Sequence, residues 1–244
     1  MIRIGTAGWS IPRAVADRFG EGGSALERYA TRFDAVEINS SFYRPHKPET
    51  YARWAASVPE GFRFAVKLPK AITHERRLAD CGDLVAAFAE QTAHLGDRRG
   101  PVLVQLPPSL AFDANTVESF FVDLRHCFGD GPIVCEPRHA SWFTAAADQS
   151  LAEHRVARVA ADPARVPEAA TPGGWTGLTY ARLHGSPRIY WSSYDDATIA
   201  RLAAAAAASV VESWTIFDNT TSGAAIENAL AMRNLLPKAS SPRR

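Results

Sequence analysis

The sequence predicts an α/β fold, a single TIM-type (β/α)8 barrel whose helix after the sixth strand is irregular or missing. Three observations predict it. Eight short apolar runs alternate with helical stretches, which implies right-handed βαβ units and a parallel sheet. Eight repeats in 244 residues favour closure over an open doubly wound sheet. The dinucleotide fingerprint of that open alternative is absent, because Gly5-Thr6-Ala7-Gly8 lacks a third glycine at the required spacing.

The strand-like runs are residues 2–5, 35–38, 62–67, 102–106, 133–136, 156–161, 178–183 and 214–218. Helical spacing follows at 26–33 and 48–57, then at 83–95, where Leu84, Phe88 and Leu95 recur on related turns. It returns at 115–127 with Val117, Phe120, Phe121 and Leu124, in an alanine-rich stretch at 195–210, and at 222–236. The connection 162–177 is short and rich in proline and glycine, which is why its helix is expected to be broken. One domain is expected over 1–236, with a disordered C-terminal tail at 237–244.

Composition sets limits. A 46% apolar and 22% charged chain of net charge +1 has no global field to draw it to nucleic acid or to an anionic membrane. The longest apolar run, 202–209, is mostly alanine and too short to span a bilayer. With no signal-peptide pattern, the protein is expected to be cytoplasmic. Cys81, Cys127 and Cys135 are odd in number and widely spaced, which argues against a disulfide framework or a cysteine-based zinc site.

Side chains of a strand alternate between faces, so the apolar parity marks the helix-covered side. Val36 and Ile38 then face helices, while Ala35, Glu37 and Asn39 point inward. The same rule sends Arg63 and Lys67, Gln105, Glu136 and Arg138, Arg158 and Asp162, and Tyr180, Arg182 and His184 inward, with Arg3 on the first strand. Cys135, alternating with Glu136, faces a helix. A buried charge costs several kcal/mol unless paired, at order of magnitude. Arg3, Arg63 and Arg158 near the floor are therefore expected to be struts paired with Glu37 or Glu136. Charges at the strand C-termini are expected to bind substrate, because active sites of such barrels sit there.

The eighth turn, Asp218-Asn219-Thr220-Thr221-Ser222-Gly223, runs from a strand into a helix. Thr221 or Ser222 is expected to cap that helix and leave free N–H groups for an anion. Trp9, Phe42, Tyr43, Trp142, Tyr190, Trp191 and Tyr194 fall in the loops of the same mouth and suit a planar or amphipathic ligand.

These segments resemble the YecE-like family, also called domain of unknown function 72. Gly5-Thr6-Ala7-Gly8-Trp9-Ser10 is similar to its opening motif, and Val36-Glu37-Ile38-Asn39-Ser40-Ser41-Phe42-Tyr43 to its second-strand motif. Phe62–Lys67 with Ile72-Thr73-His74, Gln105-Leu106-Pro107-Pro108, Glu136, Arg138-His139, Ser141-Trp142, Arg182-Leu183-His184-Gly185 and Asn219-Thr220 complete the likeness, which runs from residue 2 to about 236. Pro137 departs from the family's common phenylalanine and Asp218 from its common asparagine. The resemblance implies a TIM barrel, similar in architecture to endonuclease IV and the sugar isomerases, and implies no settled activity.

The function these residues suggest is an enzyme acting on a phosphorylated or otherwise anionic small molecule. Glu37 and Glu136 would serve as acid and base, with His74 or His184 moving a proton. The candidate ligand-binding residues are Trp9, Asn39, Tyr43, Lys67, Gln105, Arg138, Trp142, Arg182, Asp218, Asn219 and Thr220. Arg182 is expected to hold the anion without carrying stability. A metal-dependent hydrolase or isomerase would draw on Glu37, His74, Glu136, Asp162, His184 and Asp218, but no close pair such as H-x-x-x-H appears and no metal ligand is assigned. A glycosidase would need the carboxyls of Glu37 and Glu136 about 5–5.5 or 6.5–9.5 Å apart. A non-catalytic nucleic-acid or nucleotide binder would use Lys67, Lys70, Arg76 and Arg77 with the aromatics. The sequence names no cofactor and no oligomeric state.

Overall fold

In the computed structural model, residues 1–236 are described; the expected tail at 237–244 lies outside them. Among the described residues, ten strands form two sheets. The first has the order β1 (Ile2–Thr6), β10 (Glu212–Phe217), β9 (Leu178–Leu183) and β7 (Ala160–Asp162), all parallel. The second runs β2 (Ala35–Ile38), β3 (Arg63–Lys67), β4 (Arg99–Gln105), β5 (Ile133–Glu136) and β6 (Val156–Arg158) in parallel, then the antiparallel β8 (Gly173–Gly174). The α/β class with parallel strands is as expected, while the strands fall into two hydrogen-bonded sheets. The sixth run divides at Val159, whose N–H donates to Cys135 O, so its two halves join different sheets. At the other seam β1 and β2 meet through one bridge, Ala7 to Glu37. Gly5 permits that approach, since a Cβ there would lie 2.2 Å from Ala35 O.

Seven α-helices follow the strands: α1 (Ala25–Ala30), α2 (Pro48–Ala56), α3 (Gly82–Ala93), α4 (Ala114–Phe128), α5 (Ala145–Glu153), α6 (Asp196–Ala208) and α7 (Ala224–Leu235). Ser24, Asp113, Thr144 and Asp195 cap four of them by accepting from the backbone N–H three residues on. The helix after the sixth strand is missing, as expected, and a 3-10 turn at Pro167–Ala170 stands in its place. α5 was not foreseen; its alanines give a weak apolar stripe. None of the described helices is long and apolar enough to cross a membrane.

Two apolar layers confirm most of the predicted parity. Val36, Ile38, Phe62, Phe64, Val66 and Cys135 pack outward against helices. Ala35, Ala65, Leu103, Val134, Tyr180 and Trp214 form a second apolar cluster on the opposite face of the strands. Cys81 and Cys135 are buried, and burial pushes the Cys81 thiol up to about 11, as suits inert core cysteines. The sixth strand breaks the parity rule. Ala157 and Val159 face inward, so Arg158 turns outward and its Nε donates to Asp148 Oδ1 of α5 at 2.7 Å. Arg3 pairs with Glu212 at 2.5 Å and also donates to Gly61 O, while Arg63 caps the carbonyls of Glu60 and Phe62. The floor arginines are thus tied down locally and none reaches Glu37 or Glu136.

Candidate functional site

At the C-terminal strand ends one guanidinium organises a sealed ionic group. Arg182, fully buried, donates through Nε and Nη2 to both oxygens of Glu37 at 3.0 and 2.8 Å. Its Nη1 donates to Glu136 Oε2 at 2.5 Å and its Nη2 to Asp218 Oδ2 at 3.0 Å. The Tyr180 hydroxyl donates to Glu37 Oε2 at 3.0 Å. His184 lies between two carboxylates, with Nδ1 3.0 Å from Asp218 Oδ2 and Nε2 3.1 Å from Glu136 Oε1. Burial alone would raise the Glu136 and Asp218 carboxyls; Arg182 and His184 outweigh it and hold both below the usual range, Glu136 well below. For His184, burial opposes the charge, but Glu136 and Asp218 prevail and raise the imidazole. In its protonated form both ring nitrogens donate, one to each carboxylate.

Outside this group lies a more open rim. Arg138 bonds Glu136 Oε1 through Nε at 2.9 Å and Nη2 at 2.8 Å, with its side chain 19% exposed. Lys67 ends β3 with Nζ 4.2 Å from the centroid of the Phe42 ring, and this side-chain amine makes no hydrogen bond or ion pair among the described residues, while the Lys67 carbonyl accepts from Ser41 Oγ. Burial, then the nearby Arg182, pushes its ammonium down to about 8 against the pull of Glu37, Asp218 and Glu136. His74, on a single π-helical turn at Ala71–Glu75, meets the same Phe42 ring edge-on at 5.0 Å, and Thr73 Oγ1 lies 2.8 Å from its Nδ1. Burial first, then Lys67 and Arg138, lower the His74 imidazole. Tyr190 covers His184 edge-on at 5.6 Å. A cavity of about 20 Å³ lies between Glu136, Arg138, His184 and Ile189, room for about one water.

The structure therefore brings together Glu37, Lys67, Glu136, Arg138, Arg182, His184 and Asp218, with His74 at the edge. Asn39 is half-buried, and its buried Oδ1 has no partner among the described residues. Gln105 points inward with Nε2 donating to Leu106 O. Trp9 packs edge-on against Trp54 at 5.0 Å, and Tyr43 lies largely in solvent beside Phe42.

Several expectations are overturned. Arg182 is the centre of the buried ion pairs and has no face for a ligand. Trp142 is sealed, donating through Nε1 to Leu110 O at 2.9 Å, and so joins loops rather than lining the mouth. The eighth turn is no anion cradle. Its N–H groups at Thr221, Gly223 and Ala225 donate to Tyr190 O, Thr220 O and Asn219 O. The cap of α7 is Gly223, at φ +83, rather than Thr221 or Ser222. Asn219 is buried, donating to Ser192 O and Asn228 Oδ1, and Thr220 is exposed. On the third loop, the exposed Lys70 pairs with Glu75, Arg76 with Asp80 O, and Arg77 with Ser109. A metal does not fit this donor set. Among the described residues no three His, Cys, Asp or Glu side chains form a ligand group, and both His184 nitrogens face carboxylates already bonded to Arg182.

Sequence reasoning missed Asn228, which holds the seventh and eighth loops together. Its Oδ1 accepts from Asn219 Nδ2 and from Tyr194 N–H. The signal was a lone amide on the apolar face of the last helix, among Ala225, Ile226, Ala229 and Met232. The two departures at strand ends are also accounted for. Pro137 follows the last residue of β5, where no ladder N–H is needed, and Asp218 supplies a shared carboxylate to Arg182 and His184.

A family model described as a protein of unknown function, DUF72, matches residues 3–244. Over 143 residues the chain is 35% identical to the UPF0759 protein YecE of Escherichia coli K12, taking in 59% of this chain and 50% of YecE. Over 150 residues it is 28% identical to the UPF0759 protein YunF of Bacillus subtilis 168, with 59% and 53% covered. The aligned part thus spans about half the length of these curated relatives. A DUF72-family structure from Enterococcus faecalis V583 has TM-score 0.80 at 26% identity, covering 100% of this chain and 99% of that one. One from Thermotoga maritima MSB8 has TM-score 0.78 at 23% identity, covering 96% and 98%. A D-psicose 3-epimerase shares the fold alone, with TM-score 0.54 at 12% identity and 96% of both chains covered. Matched by the family model almost from end to end and by DUF72 structures over nearly its whole length, the chain belongs to the DUF72 family, the YecE-like proteins.

Proposed function

We propose that the two sheets are the halves of one (β/α)8 barrel, and that its mouth is the site of an acid–base enzyme for a small phosphorylated or carboxylated substrate. The observation that carries this reading is the opposite pull on two histidines flanking one cationic rim. His74 is lowered toward the neutral base and His184 raised toward the imidazolium acid. Two groups of one kind, pushed apart by their surroundings, are the usual mark of an acid and a base in one site. Charge favours an anion as the ligand. Glu37, Glu136 and Asp218 are balanced by Arg182, the protonated His184 and Arg138, which leaves Lys67 as surplus positive charge. Arg138, planar and part-exposed, suits bidentate contact with phosphate or carboxylate. Glu136 would act through His184, since it is already ionised.

Thermal shift with inorganic phosphate, pyrophosphate and citrate tests this. At about 100 times Kd a ligand adds about 2.7 kcal/mol, or roughly 5–10 °C in Tm for a chain of this size. Arg138→Gln should abolish the shift. An unchanged shift in that variant, or none with any of these anions, would remove the rim from function.

A further inference from the structure

We propose that Lys67 is a nucleophile that forms an imine with the carbonyl group of a small anionic aldehyde or ketone, whose anionic end is held by Arg138. The inference rests on the reading of the mouth as an anion site and names the substrate class. Its basis is the placement of the Lys67 amine. It ends a strand of the mouth, is about 6% exposed, lies over the apolar face of Phe42, and has no hydrogen-bond acceptor among the described residues. A lysine meant as a strut would be paired, as Arg182, Arg138 and Arg158 are. The charged groups facing it are Glu37 from β2, Glu136 from β5, Arg182 from β9, Asp218 after β10, and His74 on its own following turn. The acids are already matched by Arg182, Arg138 and His184, so the local field does not demand an ammonium at Lys67.

Burial and Arg182 bring the Lys67 ammonium down to about 8, so an appreciable neutral fraction exists near physiological pH. Desolvation beside another cation is a known way to activate a lysine amine for attack on carbonyls. The Lys67 Nζ lone pair forms a bond to the carbonyl carbon, and proton transfer from nitrogen to oxygen gives the carbinolamine. One further proton, taken up from solvent, lets the C–O bond break and water leave, which yields the protonated imine. No oxidant, reductant or metal is consumed. The protonated imine is an electron sink for removal of an adjacent proton, the work a neutral His74 at the rim suits.

Only four lysines occur in the chain, Lys47, Lys67, Lys70 and Lys238, so the site of trapping is easily read. The wild-type protein is incubated with glyoxylate, pyruvate or acetaldehyde, reduced with sodium borohydride, and peptide-mapped. Borohydride delivers hydride to the imine carbon and leaves a stable secondary amine. Glyoxylate or pyruvate should label Lys67 about tenfold more than Lys47 or Lys70, and more than acetaldehyde does, as an activated, anion-directed amine requires. The yield at Lys67 should climb as pH passes through about 8. Arg138→Gln should cut labelling by glyoxylate to the acetaldehyde level. Lys67→Met, checked for folding by its melting curve, should lose the adduct. Labelling spread evenly over the lysines, or absent from Lys67 while phosphate still raises the wild-type Tm, overturns the imine and leaves the anion site standing. Loss of both labelling and phosphate binding overturns both readings.

Discussion

The inner ionic group and the outer rim occupy the same strand ends and divide the labour between them. Glu37, Arg182, Glu136, Asp218 and His184 are each at most 4% exposed and hydrogen-bonded to one another, so they form a pinned floor with no group left over for a ligand. Lys67, His74, Arg138 and Tyr190 stand above that floor with incomplete partners or open faces. Charge at a strand end does not by itself mark a binding residue. What separates the two tiers is whether the donors and acceptors are already matched. A saturated tier carries stability and sets pKa values, while an unsaturated one can bind.

The largest effect is expected from Arg182→Ala. It leaves Glu37 with the Tyr180 hydroxyl as its one remaining side-chain partner among the described residues, Asp218 with His184, and Glu136 with His184 and Arg138. Removing one partner of a buried pair costs about 3–5 kcal/mol, which for this size means a Tm fall of roughly 6–20 °C. Arg182→Lys should not restore it, because one ammonium cannot span Glu37 bidentately while reaching Glu136. A melting temperature within about 2 °C of wild type would mean that the floor carries no stability.

Lys67→Met should move stability the other way. A base whose folded pKa is lowered from 10.5 to about 8 is penalised while protonated, by up to about 3 kcal/mol. The penalty is complete below about 8 and disappears by about 10.5. The variant should therefore melt above wild type at neutral pH, and its advantage should shrink as pH rises between those values. A gain that does not depend on pH would assign the effect to packing instead.

The ionic group also makes stability depend on pH. Glu136 and Asp218 are lowered by folding, so their contribution is present above the unfolded carboxylate range, about 4, and is lost as pH falls toward the folded values. His184 is raised, so its contribution is complete below about 6.5 and is lost as pH climbs through the folded value. The floor should be firmest between about pH 4 and 6.5. His184→Gln should flatten the alkaline side of the urea-unfolding profile while keeping the acid side. An unchanged alkaline side would show that His184 is neutral in the folded protein.

How much of this was legible differs by element. Alternation placed Glu37, Lys67, Glu136, Arg182 and His184 on one face, because each run holds a clear apolar parity such as Val36 with Ile38 or Phe64 with Val66. It failed at Arg158, where the strand changes sheets at Val159 and a period-two rule breaks down. It also could not rank burial. Arg182 looked like a ligand residue because its partners come from strands 46 and 145 residues away, and no local spacing reports such pairs. The eighth turn misled for a related reason. Its capping residues are there, but the amides are taken by carbonyls from Tyr190 and from the turn itself.

Arg138→Gln has the smallest expected effect on folding and the clearest effect on the rim. Glu136 keeps Arg182 and His184 when Arg138 is lost, so no buried carboxylate is left unpaired. The guanidinium is part-exposed, and such ion pairs contribute about 1 kcal/mol or less. Tm should therefore drop by no more than about 4 °C, while the anion-induced thermal shift disappears. Arg138→Lys should recover part of the anion shift and little of its selectivity for planar carboxylates over halides, since a point charge lacks the fork. If Arg138→Gln instead unfolds the protein as Arg182→Ala is expected to, the rim and the floor are one structural unit, and the division drawn between matched and unmatched charges fails.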